Sequence, residues 1–296
     1  MLSVLIPTYN YDISKLVAAI HAQLTNCAIA FEIIILEDGS TLKLNSSHNL
    51  DYTKVIKNTQ NIGRVKARQD LALKAKYDWL LFLDADVFPK SKQFIYNYIK
   101  AMSHDYEAFF GGFAYHDDKP EQSFILRWKY GQTKEQIPAS TRNKSPYKVI
   151  ISANYLIKKE VFSAVNTKIE DTKGYGFDNY FGALLQDNNA KVWHIDNEVY
   201  HLGIEKSESY LQKKEQAALT LIHFYKTEGF NNHSNDLLRL FRKLNNFKLA
   251  WLFSLFYKFF NSNMKKNLLS NSPSVKILQL YRISFMCYAY KNKMIT

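Results

Sequence analysis

The sequence has little cysteine, no membrane-length apolar run and almost no acid near its C-terminal end. Only Cys27 and Cys287 are present, which excludes a disulfide framework and a cysteine-based metal site and indicates a reducing compartment. The uncharged stretch at residues 249–257 is too short for a spanning helix, which needs about 20 apolar residues. The chain opens directly on a strand pattern without a leader-like segment, so we expect a cytoplasmic protein.

What is present is an alternation of short apolar runs with helix-like segments. It predicts βαβ units, and hence an α/β fold with a mainly parallel sheet flanked by helices. Runs such as Ile33 to Leu36 are apolar throughout, as expected of strands covered on both faces. The strands are predicted at residues 2–6, 31–36, 54–57 and 79–83, and the helices at 13–24 and 63–76.

A polar cluster follows each of the four predicted strands. Ligands of open parallel sheets bind outside the carboxyl ends of the strands, so we expect these clusters to meet at one edge. The clusters are Pro7-Thr8-Tyr9-Asn10, Glu37-Asp38-Gly39-Ser40, Asn61-Ile62-Gly63-Arg64 and Asp84-Ala85-Asp86.

The paired carboxylates Asp84 and Asp86 stand where the strand Trp79 to Leu83 ends. Their mutual repulsion calls for a cation, and Mg²⁺ or Mn²⁺ prefers oxygen ligands that it can share with substrate phosphates. The plainer interpretation is a pair of solvated turn residues. The three neighbouring clusters favour a divalent metal site completed by a diphosphate.

Together these motifs resemble those of family 2 glycosyltransferases, which have the GT-A fold, a Rossmann-like sheet flanked by helices. The resemblance covers roughly residues 1–203 and rests on Ser3 to Asn10, Glu37 to Ser40, Asn61 to Arg68 and Phe82 to Asp86. It implies that Asp86 binds the metal and that Asp84 faces the ribose. The other residues that it assigns to the donor are Pro7, Thr8, Tyr9, Asp38, Asn61, Gly63, Arg64 and Arg68.

Within that set, the resemblance gives Tyr9 and Asp38 to the base, usually uracil, and Arg64 or Arg68 to the sugar or phosphate groups. Each also has a simpler explanation. Tyr9 could be a core aromatic and Asp38 a turn residue. The two arginines lie one helical turn apart, which is also typical of a solvated basic face.

Two later segments bear on metal binding and catalysis. The resemblance implies that His201 closes the metal or diphosphate site, whereas His194 is expected to be a packed or surface residue. The family commonly carries a Glu-Asp pair at a helix start, where this chain has Asp178-Asn179. Asp178 is therefore the predicted general base, displaced by one residue, and its alternative role is that of a helix N-cap.

Residues 106–203 are richer in aromatics and are predicted to receive the acceptor, after a donor-binding half at 1–105. The segment Leu126 to Gly131, with Arg142 and Pro146-Tyr147, resembles a subset of bacterial family members and is expected to shape the acceptor pocket. An aromatic stripe of this kind is equally typical of a core.

Residues 204–296 form a predicted helical, basic C-terminal extension with 15 basic and 5 acidic residues. Basic residues interleaved with Phe, Trp and Leu can lie on an anionic membrane. Packing of the extension on the catalytic domain is the equal alternative. No nucleic-acid partner is expected, because no recognition module accompanies the charge.

The sequence therefore predicts an inverting, Mn²⁺- or Mg²⁺-dependent glycosyltransferase. Its predicted donor is a nucleotide sugar of the UDP type, and its acceptor is a glycan or a lipid-linked acceptor in cell-surface polysaccharide synthesis. The enzyme would be cytoplasmic or peripheral at the inner face of the plasma membrane. The rival interpretations are a catalytically silent nucleotide-sugar-binding protein, motivated by Asn179, and a sugar-phosphate nucleotidyltransferase.

Overall fold

A computed structural model describes residues 1–41, 50–166, 177–227 and 235–294, of which residues 177–179 and 224 are described by backbone alone. The strands are β1 (Leu2–Thr8), β2 (Phe31–Asp38), β3 (Thr53–Asn58), β4 (Trp79–Leu83), β5 (Val87–Pro89), β6 (Ala108–Phe110), β7 (Phe113–Ala114), β8 (Asn154–Lys158), β9 (Val192–His194) and β10 (Val199–His201). The helices are α1 (Ser14–Thr25), α2 (Arg64–Lys74), α3 (Phe94–Ala101), α4 (Ile125–Tyr130), α5 (Ala139–Arg142), α6 (Lys159–Asn166), α7 (Phe177–Asp187), α8 (Ser207–Thr227), α9 (Asp236–Asn246), α10 (Ala250–Leu268) and α11 (Val275–Lys291).

Seven strands form the main sheet in the order β3-β2-β1-β4-β8-β6-β9. The first four are mutually parallel, and β8 is antiparallel to both of its neighbours. The predicted α/β architecture with a mainly parallel sheet is confirmed. A second sheet, β5-β10-β7, is small, and its strands of two or three residues carry no alternation long enough to predict from sequence.

Both faces of the main sheet are covered, which explains the continuously apolar strands. Val4 and Ile6 pack with α1 and α3 in one core cluster. Phe82 points to the opposite face, where its ring stacks on that of Tyr155 and contacts Phe162 of α6. The sheet is therefore a rigid layer between two sets of helices.

The chain divides into two compact units. The sheet unit comprises Met1–Tyr115, Glu135–Lys173 and Leu184–Gly203, and the helical unit comprises His116–Lys134, Gly174–Ala183 and Ile204–Thr296. The sheet unit thus contains residues from both predicted halves of the catalytic domain. The helical unit contains the predicted C-terminal extension together with two segments from earlier in the chain. One of them, His116–Lys134, includes the segment around Trp128 that we expected to shape an acceptor pocket.

The guanidinium of Arg142 is fully buried and connects β6 and β9, the last two strands of the main sheet. It donates to the carbonyls of Ile137, Phe110 and Ile195 at 2.9–3.0 Å and to Nδ1 of His194 at 2.7 Å. A methyl group on Gly112 would lie 2.8 Å from Nη2 of Arg142. Arg142 therefore has a structural role in the sheet unit, which its sequence context did not indicate.

His194 is buried next to this arginine. The sequence predicted either a packed or a surface position for it, and the packed position is the one found. Because Nδ1 accepts from Arg142, Nε2 carries the proton and donates to the carbonyl of Pro146 at 2.8 Å. Burial, opposed by the Pro146 hydrogen bond and aided by the nearby Arg142 charge, lowers the pKa of His194 to about 4. The imidazole is thus neutral in the folded protein at any pH above that value.

This pKa predicts a loss of stability in mild acid. Between pH 6.5 and about 4 the unfolded chain binds a proton at His194 that the folded chain does not, so the free energy of unfolding falls as pH is lowered, by roughly 3 kcal/mol in total from this residue. Urea unfolding of wild type and His194→Gln across this range should give a flatter profile for the variant.

The control is His104→Gln, since His104 is exposed and its replacement should leave the profile unchanged. If His194→Gln does not fold, the ring ¹⁵N shifts of wild-type His194 at pH 5.5 replace the comparison. A protonated imidazolium at that pH would contradict the prediction.

Candidate active site

The carboxyl ends of β1, β2, β3 and β4 lie at one edge of the sheet because these strands are parallel. Hydrogen bonds connect the clusters that follow them. Asn10, after β1, accepts from the backbone N–H of Thr41 at 2.9 Å through its side chain and donates its own N–H to Ser40 Oγ at 2.9 Å. The loops after β1 and β2 are therefore joined, as the sequence predicted for neighbouring clusters.

Asp38 joins the second cluster to the third. Its buried carboxylate accepts from Asn58 Nδ2, from the N–H of Ile62 and from the N–H of Gly63, each at 3.0 Å. An ionised carboxylate has about four acceptor positions, so one remains for a ligand. Asp38 first shapes the loop before α2, and any contact with a nucleotide base would use the remaining position.

Two glycines permit this loop arrangement. A methyl group on Gly39 would lie 2.5 Å from the backbone carbon of Gln60, and the φ of Gly39 is +70°. Gly63 has φ of +88° and immediately precedes α2, with open space around its Cα. Only glycine adopts both conformations without strain. No side chain caps α2 at Gly63, and the N-terminus of a helix suits an anion such as a diphosphate.

Arg68 joins α2 to the acidic cluster after β4. Its Nη2 donates to Asp84 Oδ1 at 2.5 Å and to the carbonyl of Ser152 at 2.8 Å. Since Arg68 is only 7% exposed, a solvated basic face is excluded for it, whereas Arg64 is exposed. The salt bridge fixes Asp84 at the edge of the sheet and compensates half of the charge of the acidic pair.

Asp86 meets His201 in the small sheet. His201 Nε2 lies 3.3 Å from Asp86 Oδ2, and β10 pairs with β5, which directly follows Asp86. The N–H of Leu202 donates to the Asp86 carbonyl at 2.8 Å. A methyl group on Gly203 would lie 2.0 Å from Asp86 Oδ2, so any larger residue here would displace the carboxylate.

The Asp86–His201 pair fits a divalent ion. Neighbouring ligands of an octahedral ion at about 2.1 Å lie about 3 Å apart, close to the separation of Oδ2 and Nε2. Within the described residues, no group of three or more His, Cys, Asp or Glu could hold a metal. Asp86 and His201 would therefore supply two ligands, and oxygens of a bound diphosphate would have to supply others.

Three aromatic residues that the sequence did not single out, Tyr11, Phe113 and Tyr115, lie near this pair. The rings of Phe113 and Tyr115 contact the His201 ring with centroid separations of 5.0 and 5.8 Å. Burial, followed by the charges of Asp86 and Asp12, raises the pKa of Tyr11. No spacing pattern connects these residues, since Tyr11 follows β1 of the main sheet whereas Phe113 and Tyr115 lie in or just after β7 of the small sheet.

The remaining predicted residues differ in accessibility. Tyr9 is 51% exposed and Asn61 is exposed, so both side chains are open to a ligand. Thr8 is buried, and its hydroxyl donates to the carbonyl of Tyr11 at 3.1 Å. Pro7 is half-buried within β1. Asp178 and Asn179 lie in the first turn of α7, and their side chains fall outside the described part of the chain.

Residues 3–165 match the family described as "Glycosyl transferase family 2". An "Uncharacterized glycosyltransferase" of Haemophilus influenzae (strain ATCC 51907 / DSM 11121 / KW20 / Rd) is 35% identical over 88 residues, which span 29% of this chain and 29% of that protein. This chain thus covers less than a third of the length of that relative.

Solved structures share the fold over most of the chain. The mannosyltransferase PcManGT from Pyrobaculum calidifontis, in complex with GDP-Man and Mn²⁺, has a TM-score of 0.58 at 11% identity and covers 99% of this chain and 86% of its own. S. aureus TarS 1-349 has a TM-score of 0.50 at 15% identity over 99% and 91%. Glucosyl-3-phosphoglycerate synthase from Mycobacterium tuberculosis, with Mn²⁺, UDP and phosphoglyceric acid, has 0.51 at 14% over 75% and 78%. These likenesses confirm the predicted GT-A fold.

The Arg68–Asp84 salt bridge predicts a specific stability loss. Arg68→Met leaves the Asp84 carboxylate and the Ser152 carbonyl without the guanidinium, so we expect the free energy of unfolding to drop by about 3 kcal/mol. The matched control is Lys66→Met, which breaks the partly exposed Lys66–Asp70 pair at 3.5 Å and should cost less than about 1 kcal/mol. Urea denaturation at pH 7 measures both, and equal losses would contradict the assignment.

Proposed function

Because this chain belongs to glycosyl transferase family 2, we propose that it transfers a sugar from a nucleotide-diphospho donor to an acceptor hydroxyl with inversion at the anomeric carbon. The observation that carries the proposal is the connection of four polar clusters at one edge of the sheet. Asn10, Asp38 and Arg68 join these clusters through hydrogen bonds and a salt bridge. A connected edge of this kind suits an extended ligand that has a base, a ribose and a diphosphate.

The donor is placed by residues of different chemistry. Tyr9 offers an exposed ring on which a base can stack, and the remaining acceptor position of Asp38 can receive a base N–H. Asp84, oriented by Arg68, accepts from a ribose hydroxyl. The N-terminus of α2, with Arg64 in its first turn, would receive the diphosphate. A UDP-sugar is the proposed donor, since uracil is the usual base in the family.

Asp86 and His201 would hold Mn²⁺ or Mg²⁺ together with the diphosphate. When bound, such an ion offsets the negative charge that develops on the leaving nucleoside diphosphate. The three solved relatives reported above include two in complex with Mn²⁺ and a nucleotide or nucleotide sugar. The close approach of Gly203 and the His201–Asp86 contact support this assignment.

In the transfer itself, a new bond forms between the acceptor oxygen and the anomeric carbon. The bond from that carbon to the diphosphate oxygen breaks, and the hydroxyl proton passes to the carboxylate of Asp178, the general base. The amide of Asn179 cannot take this proton. The acceptor is a glycan or a lipid-linked molecule in cell-surface polysaccharide synthesis, and a lipid-linked acceptor would require the enzyme to work at a membrane surface.

Metal dependence is tested by release of nucleoside diphosphate from a panel of nucleotide sugars with mixed acceptors. We expect turnover with Mn²⁺ or Mg²⁺ and none with EDTA. Asp86→Asn and His201→Ala should each weaken Mn²⁺ binding and lower kcat/KM by about tenfold or more. Leu73→Ala, which alters an exposed residue of α2, is the control. Turnover that persists in EDTA would contradict the metal assignment.

The identity of the general base is tested separately, by variants at the start of α7. We expect Asp178→Ala to lower kcat by a factor of about 100 or more while donor binding is retained. Asn179→Asp is the informative partner variant. If the wild-type chain binds donor without turnover and Asn179→Asp creates activity, the catalytically silent interpretation is correct. If Asp178→Ala leaves kcat unchanged in an active enzyme, Asp178 is not the base.

A further inference from the structure

The helical unit has its own core, which fixes the orientation of α10. On one side of this helix, Tyr257, Met264 and Leu268 are buried against residues that include Tyr281 and Leu278 of α11. The Tyr281 hydroxyl donates to Glu215 of α8, and Lys265 of α10 lies 3.6 Å from the same carboxylate. The inner face of α10 is therefore held in place, and its outer face cannot turn inward.

The outer face of α10 is apolar over its first turns. Trp251, Leu252, Leu255 and Phe259 occupy the side opposite the buried residues and are 51%, 45%, 37% and 69% exposed. The outer side of a surface helix normally carries polar residues. We call these four residues the outer apolar face.

Other exposed apolar residues lie just before α10 in the chain. Phe247 and Leu249, in the turn between α9 and α10, are exposed, as is Leu240 of α9. Several exposed apolar residues in one segment mark an interaction site, because a single exposed apolar residue needs no explanation whereas a group does. Exposed apolar residues are thus not confined to α10.

Exposed cations lie in the same part of the chain, and no acidic residue follows Asp236. Residues 237–296 contain 11 Lys and Arg and no Asp or Glu. Lys248, Lys258 and Lys266 are exposed in the same helix–turn segment, and Lys243 is exposed on α9, where Arg239 pairs with Asp236. A partner must therefore be both apolar in its interior and negatively charged at its surface.

We propose that the outer apolar face and its surrounding lysines dock the protein on an anionic lipid membrane. Leu252, Leu255 and Phe259 would enter the boundary between headgroups and acyl chains, with Trp251 at the headgroup level. The lysines would extend their ammonium groups to anionic headgroups. Within the described residues no helix has the length and hydropathy needed to cross a bilayer, and α10 would lie along the surface.

Charge and side-chain chemistry make other occupants less suitable. A second copy would present the same uninterrupted positive charge to itself, and like charges across an interface are costly. A nucleic acid would use aromatic stacking and phosphate contacts, but it would leave the aliphatic Leu252 and Leu255 exposed. An anionic lipid surface satisfies the aliphatic, aromatic and basic side chains together.

The test is co-sedimentation of the full chain with vesicles of phosphatidylcholine alone or mixed with phosphatidylglycerol. We expect recovery with the anionic vesicles only, reduced by salt. The triple variant Trp251→Ser/Leu255→Ser/Phe259→Ser should lower the bound fraction by about tenfold. The matched control is Trp193→Ser/Leu73→Ser/Tyr96→Ser, which removes exposed residues of similar type from the sheet unit and should bind as wild type does.

Charge is tested by Lys248→Gln/Lys258→Gln/Lys266→Gln against Lys15→Gln/Lys92→Gln/Lys100→Gln, an equal charge change at exposed lysines of the sheet unit. Only the first set should weaken recovery. Trp251 fluorescence, isolated by subtracting the signal of Trp251→Phe, should shift to shorter wavelength on vesicle addition. Thermal melting checks that each variant is folded. None of these measurements uses a sugar donor, so their outcome is independent of the transferase assays.

Several results would overturn the proposal. One is equal vesicle recovery of wild type and the apolar triple variant, and another is equal recovery with neutral and anionic vesicles. A dimer in solution that the apolar triple variant abolishes, without vesicle binding, would assign the surface to a second copy. Retention by single-stranded DNA that is lost in the lysine variant, without vesicle binding, would assign it to nucleic acid.

Discussion

Parallel pairing of β1 with β2 on one side and β4 on the other is the constraint on which the site depends. It directs the carboxyl ends of these strands to the same edge, so that residues distant in sequence become neighbours. Arg68 and Asp84 could not meet otherwise, because one stands on α2 and the other after β4. The buried apolar strands supply the stability against which this polar edge is built.

Buried polar groups in the sheet unit, such as Asp38 and Arg142, form hydrogen bonds within the protein. Asp38 uses three hydrogen bonds to shape the loop before α2, and Arg142 uses carbonyls and His194 to fasten the opposite side of the sheet. Buried polar groups with all these partners are rigid, and removing one leaves the others unpaired at high cost. The exposed residues, such as Tyr9 and Arg64, are then the adaptable part of the site.

The helical unit follows a different physical rule. Its interior is apolar and aromatic, with Tyr257, Tyr281 and Glu215 as a small polar group between α8, α10 and α11. Its surface combines exposed apolar residues with positive charge, a combination that water alone does not favour. The helical unit therefore combines its own core with an apolar and basic surface that suits a partner. The sheet unit has instead a polar edge that suits a small ligand.

The sequence by itself determined the parallel strands, the four polar clusters after them and the basic C-terminal region, because strand periodicity, turn chemistry and charge are local properties. It also gave the family, through motifs that follow those strands. Only the tertiary structure decided that Arg68 pairs with Asp84, that Arg142 is buried, and that Phe113, Tyr115 and Gly203 enclose the Asp86–His201 pair. These contacts join residues that are far apart in the chain or lie on strands of two or three residues, and no local pattern encodes such proximity. The same distinction applies to α10. Its apolar and basic composition is evident from the sequence, but which of its sides the core covers depends on packing against α11.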